Sequence, residues 1–171
     1  MKSKSLKNRI KDGDTLIGSF ITLAHSSIAE IMTMAGFDWL AIDLEHSVIT
    51  IREAEELIRV IDLAGVVPLV RLTSNNSDQI KRVMDAGAHG VIVPMVMSAD
   101  EAKLAVSSVK YPLAGKRGIG LARAQGYGAN FDQYFEWQKE NTIVIVQIEH
   151  IDAVDNIDAI LSVEGVDGFF I

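Results

Sequence analysis

Cysteine is absent from the 171 residues. That excludes disulfides, thiol nucleophiles and cysteine-ligated zinc. A basic surplus is also missing, because 16 Lys and Arg face 23 Asp and Glu, leaving a net charge of −7. Phosphate binding needs a basic face, so nucleic acid is not an expected partner. No apolar run approaches the ~20 residues that cross a bilayer. The N-terminal stretch is basic (Lys2, Lys4, Lys7, Arg9) but has no apolar core of a signal peptide behind it. Low-complexity tracts are lacking, and no Gly-x-Gly-x-x-Gly follows the first apolar segment, where a dinucleotide fold places one. What remains is a globular composition, 49% hydrophobic and 23% charged, of one-domain length. A soluble cytoplasmic protein is the expectation.

The chain is organised around GFDWLAIDLEHS, residues 36–47. Its apolar run ends abruptly in Asp43, Glu45 and His46, so a buried strand delivers three titratable groups to one rim. Asp43 and Glu45 lie two apart and share a strand face, and His46 begins the loop beyond. A short amphipathic helix over 3–12 and a strand over 16–23 precede it. Around it a unit recurs: capped helix, glycine, apolar strand. Ser27 with Glu30, Thr50 with Glu53 and Ser98 with Glu101 have the spacing of capping boxes. Ser77 can cap another helix, and Asp152 can cap one that runs to Gly165. Strands are expected near 39–44, 67–72, 90–96, 143–149 and 168–171, with a weaker one around 117–121, seven at most.

Apolar strands alternating with helices mean a parallel sheet covered by helices. Polar residues at many strand ends favour a (β/α)8 TIM barrel over an open doubly wound sheet. A closed eight-stranded barrel takes roughly 200–250 residues, so residues 1–171 read as the N-terminal portion of one barrel domain, lacking its last strand and C-terminal helices.

Candidate chemistry gathers at those strand ends. Arg71 closes one run; Gln147 and Glu149, two apart, close another, with His150 one step on. The glycine-bearing loop 115–130, with Arg117 and Arg123, is expected on the same rim as a mobile lid. His46 is the favoured general base, since its ordinary pKa lies near neutrality. His25 ranks below it, and His89, which precedes a strand, is structural. Plainer alternatives stand beside these: Arg71 pairing a neighbouring carboxylate, Glu149 a solvated loop residue, His46 a cap. Together, a carboxylate, an arginine, a histidine and a glutamine on one rim suit an oxygen-ligated Mg²⁺ or Mn²⁺ and carbon–carbon bond chemistry beside a 2-oxo acid.

The segments GFDWLAIDLEHS, PLVRL, GVIVPMV, KRGIGLARA, VQIE and EGVDGFFI resemble the class II, metal-dependent 2-keto-4-hydroxy acid aldolases of the HpcH/HpaI family, which includes 4-hydroxy-2-oxoheptanedioate and 2-keto-3-deoxy sugar acid aldolases. The resemblance covers essentially the whole chain and implies a (β/α)8 barrel. It implies reversible cleavage of a 2-keto-4-hydroxy acid to pyruvate and an aldehyde, a divalent metal (Mg²⁺ or Mn²⁺, with Co²⁺ admissible) and a homo-oligomer, hexameric in the family. Carried over residue by residue, His46 matches the catalytic base and Arg71 the arginine that stabilises the enolate. Gln147 matches a substrate contact, Glu149 a metal-binding carboxylate and Asp85 an aspartate that raises the basicity of the histidine. The family continues past GVDGxFI with Gly-Pro-x-Asp-Leu-Ser, which carries a second metal ligand. These 171 residues stop before it and are expected to be inactive alone. Asp85 lies before its strand, so it should reach His46 only across a subunit contact, with Asp43 as the fallback partner. Two rivals are a relative of the citrate lyase β-subunit or malyl-CoA lyase, for which no basic CoA-binding tract is seen, and a non-catalytic barrel scaffold.

Overall fold

The computed structural model describes residues 4–171. Where the sequence carries a nearly unbroken apolar run, a strand forms: β1 (Gly18–Ile21), β2 (Trp39–Asp43), β3 (Val67–Arg71), β4 (Gly90–Val93), β5 (Ile143–Gln147) and β6 (Gly168–Phe170). Each pairs in parallel with the next in chain order. Parallel neighbours need crossovers, and helices supply them. They are α2 (Ser26–Thr33), α3 (Ile51–Leu63), α4 (Ser77–Asp85) and α5 (Ala99–Val109), then α6 (Phe131–Asn141), α7 (Ile151–Asp155) and α8 (Ile157–Leu161). A short helix, α1 (Leu6–Lys11), precedes the sheet.

Alternate residues of each strand face opposite ways, and both faces are buried. On one face Leu40, Ile42, Val70, Val91, Val144 and Val146 pack against the crossover helices through Leu57, Ile58, Ile80, Val83 and Ala102. On the other, Ala41, Leu69, Ile92 and Ile143 form a second cluster that Leu6 of α1 closes from below. Burying an aliphatic side chain of this size contributes about 1.5–3 kcal/mol, so the two clusters dominate the stability. The sheet curls: the rings of Phe20 on β1 and Phe170 on β6, its two edge strands, stand 5.9 Å apart. Close strand approach depends on glycine at Gly90, where a Cβ would lie 2.4 Å from the Ile143 carbonyl oxygen.

Several expectations are corrected. The described residues form six strands, and residues 117–121 are loop, so the curled parallel half-barrel is the architecture seen rather than seven units of a closed barrel. The spacing of Ser27 and Glu30 does not produce a box, because His25 caps α2, its Nδ1 accepting from the Ser27 amide at 3.2 Å. Asn76 rather than Ser77 caps α4. The helix from Asp152 to Gly165 is two short helices, α7 and α8, broken at Asn156, and His150 caps the first. By contrast, the Thr50–Glu53 box is fully formed.

Candidate active site

Because the strands are parallel, their C-terminal ends share one rim, and four of the five predicted site residues lie on it. Asp43 ends β2 and Arg71 ends β3, directly opposite each other in register. Their side chains form a two-point ion pair: Arg71 Nε donates to Asp43 Oδ1 at 2.9 Å and Nη2 to Oδ2 at 2.5 Å. This matches the plainer alternative for Arg71, and it also fixes the guanidinium. The ring of Phe20 supports it 4.7 Å away. Asp43 Oδ1 further accepts the amides of Glu45 at 3.0 Å and His46 at 3.1 Å, and the Asp43 carbonyl accepts the Ser47 hydroxyl. The turn carrying Glu45 and His46 is therefore tied to the same carboxylate that holds Arg71. Burial works to raise the Asp43 carboxyl, but the Arg71 guanidinium and the two amides outweigh it and hold the group below its ordinary value.

Glu45 is pushed the other way. Burial raises its carboxyl, and the nearby charge of Glu149 adds to the effect. Its Oε2 is buried without a hydrogen-bond partner, 3.6 Å from Arg71 Nε and 3.8 Å from His46 Nε2. His46 itself stands open on the rim, its side chain 69% exposed. Gln147 ends β5 fully buried, with neither Oε1 nor Nε2 paired. Glu149 lies two residues on and accepts the Met95 amide at 3.1 Å. Met95 has the left-handed φ of 53°, a conformation in which a non-glycine residue marks local strain. Among the described residues no three acidic, histidine or cysteine side chains converge as a metal cluster.

Asp85 is the residue the rim does not collect. It ends α4 at the opposite end of the strands, where Arg117 Nη2 donates to its Oδ1 at 3.0 Å. The loop 115–130 is there as well, which corrects its expected position. Arg117 is buried and also donates to the hydroxyls of Tyr111 and Tyr134. Arg123 bonds Asp62 and the Ala86 carbonyl. A loop pinned at the far end by the buried Arg117 and the partly buried Arg123 is no lid for this rim. Asp62 also lies 3.2 Å from His89 Nε2, so His89 stands at this far end, away from the rim. His25, a rim candidate, is occupied as a helix cap.

A cavity of about 980 Å³ is at this far end too, lined in part by Lys7, Lys110 and Phe135. Burial pushes the Lys110 amine down to about 8, a value suited to Schiff-base chemistry. Its three protons are already committed, to the carbonyls of Gln138 and Lys139 and the Thr142 hydroxyl, so Lys110 anchors α6. The rim, with a fixed guanidinium, two carboxylates, an open imidazole and an unpaired amide, is the better candidate for chemistry.

Sequence reasoning missed the contact that Glu45 makes with both Arg71 and His46. The alternation of Asp43 and Glu45 was a signal for it, but only the register of β2 with β3 shows which carboxylate the arginine takes. It also missed the Asp62–His89–Arg123 cluster, whose members are distant in sequence.

Comparison with known proteins identifies the family. The model of the HpcH/HpaI aldolase/citrate lyase family matches residues 16–171. A 2-keto-3-deoxy-L-rhamnonate aldolase of Salmonella gallinarum is 39% identical over 99% of this chain, and a hydroxypyruvate/pyruvate aldolase of Roseobacter denitrificans is 38% identical over 98%. The chain spans 64% and 66% of these relatives. The crystal structure of a family protein from Burkholderia cenocepacia superposes with a TM-score of 0.90 at 34% identity, covering 96% of this chain and 67% of that one. A match that runs through all six strands and the whole rim leaves one conclusion: the chain belongs to the HpcH/HpaI aldolase/citrate lyase family.

Proposed function

We propose that the complete protein is a carbon–carbon lyase that reversibly cleaves a 2-keto-4-hydroxy acid to pyruvate and an aldehyde, on a (β/α)8 barrel of which these residues are the N-terminal portion. The observation that carries this reading is the in-register Asp43–Arg71 pair, which presents a fixed guanidinium beside Glu45, His46, Gln147 and Glu149 on one rim.

In cleavage His46 takes the proton of the C4 hydroxyl, directly or through one water. The C4–O bond becomes the aldehyde carbonyl, and the C3–C4 electron pair moves toward C2. The C2 oxygen gains charge as the enolate forms, and Arg71 stabilises it there without reorganising, because Asp43 already holds its guanidinium. Return of a proton to C3 gives pyruvate. Gln147, buried with both polar atoms unpaired, offers a donor and an acceptor to the substrate's oxygens. Glu149 would hold a divalent cation: an oxygen donor suits Mg²⁺, Mn²⁺ or Co²⁺, and it follows the unpaired Gln147 by two residues on the same rim. When bound, such an ion supplies Lewis-acid stabilisation of the developing negative charge. A homo-oligomer, hexameric by resemblance, in which Asp85 of one subunit approaches His46 of another, completes the reading.

The test is pyruvate release from a racemic 2-keto-4-hydroxy acid by the complete protein, followed with a coupled dehydrogenase. Mg²⁺ or Mn²⁺ should support it and EDTA should abolish it. His46→Ala should lower kcat by about 10²–10⁴-fold, the usual worth of a general base. Wild type and His46→Ala that are equally inert with metal present would favour a non-catalytic scaffold.

A further inference from the structure

We propose that Glu45, and not Asp43, is the residue that positions the imidazole of His46. The inference rests on the reading of His46 as the base. Asp43 is nearest in sequence, yet its carboxylate is fully engaged: Oδ1 takes Arg71 Nε and the amides of Glu45 and His46, and Oδ2 takes Arg71 Nη2. It holds the backbone of His46, not the ring. Among the described residues, Glu45 is the only acidic side chain within 4 Å of that ring, with Oε2 at 3.8 Å from Nε2.

The two side chains differ in freedom. The amides of both residues are tied to Asp43, but the His46 side chain is 69% exposed, and such an imidazole would sample several rotamers, whereas the Glu45 side chain is 15% exposed and confined by its neighbours. A held carboxylate beside a loose ring selects the ring orientations that face it. When the ring takes up the substrate proton, the same carboxylate pairs with the imidazolium. Glu45 Oε2 lies 3.6 Å from Arg71 Nε as well, so one carboxylate spaces the base from the charge-stabilising group. The charged groups around the pair are Asp43 and Arg71 at the ends of β2 and β3, and Glu149 beyond β5.

The experiment is a histidine-ring NMR titration of the complete, metal-free protein, with the His46 signal assigned by its loss in His46→Ala. Glu45→Gln keeps the shape and removes the charge. It should lower the His46 midpoint by roughly half to one pH unit, since an opposite charge at this range favours the protonated ring. With substrate and metal, the acid limb of kcat/KM should move by the same amount, and kcat should fall about 10-fold with KM nearly unchanged. An unmoved midpoint in Glu45→Gln of wild-type circular dichroism overturns the proposal. Should Glu45→Gln fail to fold, Glu45→Asp carries the same test: its retracted carboxylate lowers the midpoint by part of that amount, and no change overturns it. Wild-type protein that releases no pyruvate overturns the aldolase reading instead. The titration needs no substrate and decides the place of Glu45 on its own.

Discussion

Asp43 and Glu45 are two residues apart on one strand end, and their surroundings drive them in opposite directions. Asp43 is 1% exposed and meets a guanidinium and two amides. Glu45 is partly buried with the charge of Glu149 nearby and an oxygen unpaired. One carboxylate is thereby committed to structure and the other left responsive, a division that active sites use to separate roles. Asp43→Asn strands Arg71, whose side chain is 13% exposed. Removing one partner of a buried pair costs about 3–5 kcal/mol, so urea denaturation at pH 7 should show a loss of that order. Because folding depresses the Asp43 carboxyl, its contribution is present above the unfolded value of 3.8 and lost as pH falls through the folded value. The gap between wild type and Asp43→Asn should therefore narrow below about pH 4, and a gap constant down to pH 2 would contradict the assignment.

The elements that were legible from sequence are those whose determinants are local. Thr50 and Glu53 satisfy each other's end of α3: the Glu53 carboxylate accepts the Thr50 amide at 2.7 Å, and the Thr50 hydroxyl accepts the Glu53 amide at 3.3 Å. Gly65, at φ 83°, ends the same helix in a conformation that costs other residues more. Thr50→Ala should cost about 1 kcal/mol, read from the shift in chemical-denaturation midpoint at unchanged slope. Elements decided by an unexpected neighbour or by distant partners were not legible. Ser27 has the spacing of a cap, but His25 arrives two residues earlier with an imidazole acceptor already in place. Residues 117–121 have strand-like composition, yet the Arg117 side chain is drawn into a buried site between Tyr111 and Tyr134, and the backbone follows it. Helix α6 carries aromatics, Phe131, Tyr134, Phe135 and Trp137, that stack on one another and on His89 and Tyr111. No periodic stripe announced it.

For the molecule as a whole, alternation of strand and helix was enough to establish the parallel sheet and which residues share the rim. It could not show that the long crossover between α5 and β5 lies wholly at the other end, because that depends on Asp62, Asp85 and Ala86 receiving its arginines. Asp85 belongs to this far end within one chain, so its effect on His46 must come from a second copy if it has one. Asp85→Asn separates the two roles. Arg117 has a fully buried side chain, and Asp85 is its carboxylate; losing that charge should lower stability by about 3 kcal/mol in any assembly state. Arg117→Lys perturbs the same pair from the other side. If Asp85 also supports His46 of a neighbouring subunit, Asp85→Asn alone should move the acid limb of kcat/KM to lower pH by about one unit, while Arg117→Lys leaves it in place. Sedimentation of both variants checks that the assembly persists. A limb unmoved in an intact Asp85→Asn assembly would confine Asp85 to holding Arg117 and leave Glu45 as the carboxylate that His46 answers to.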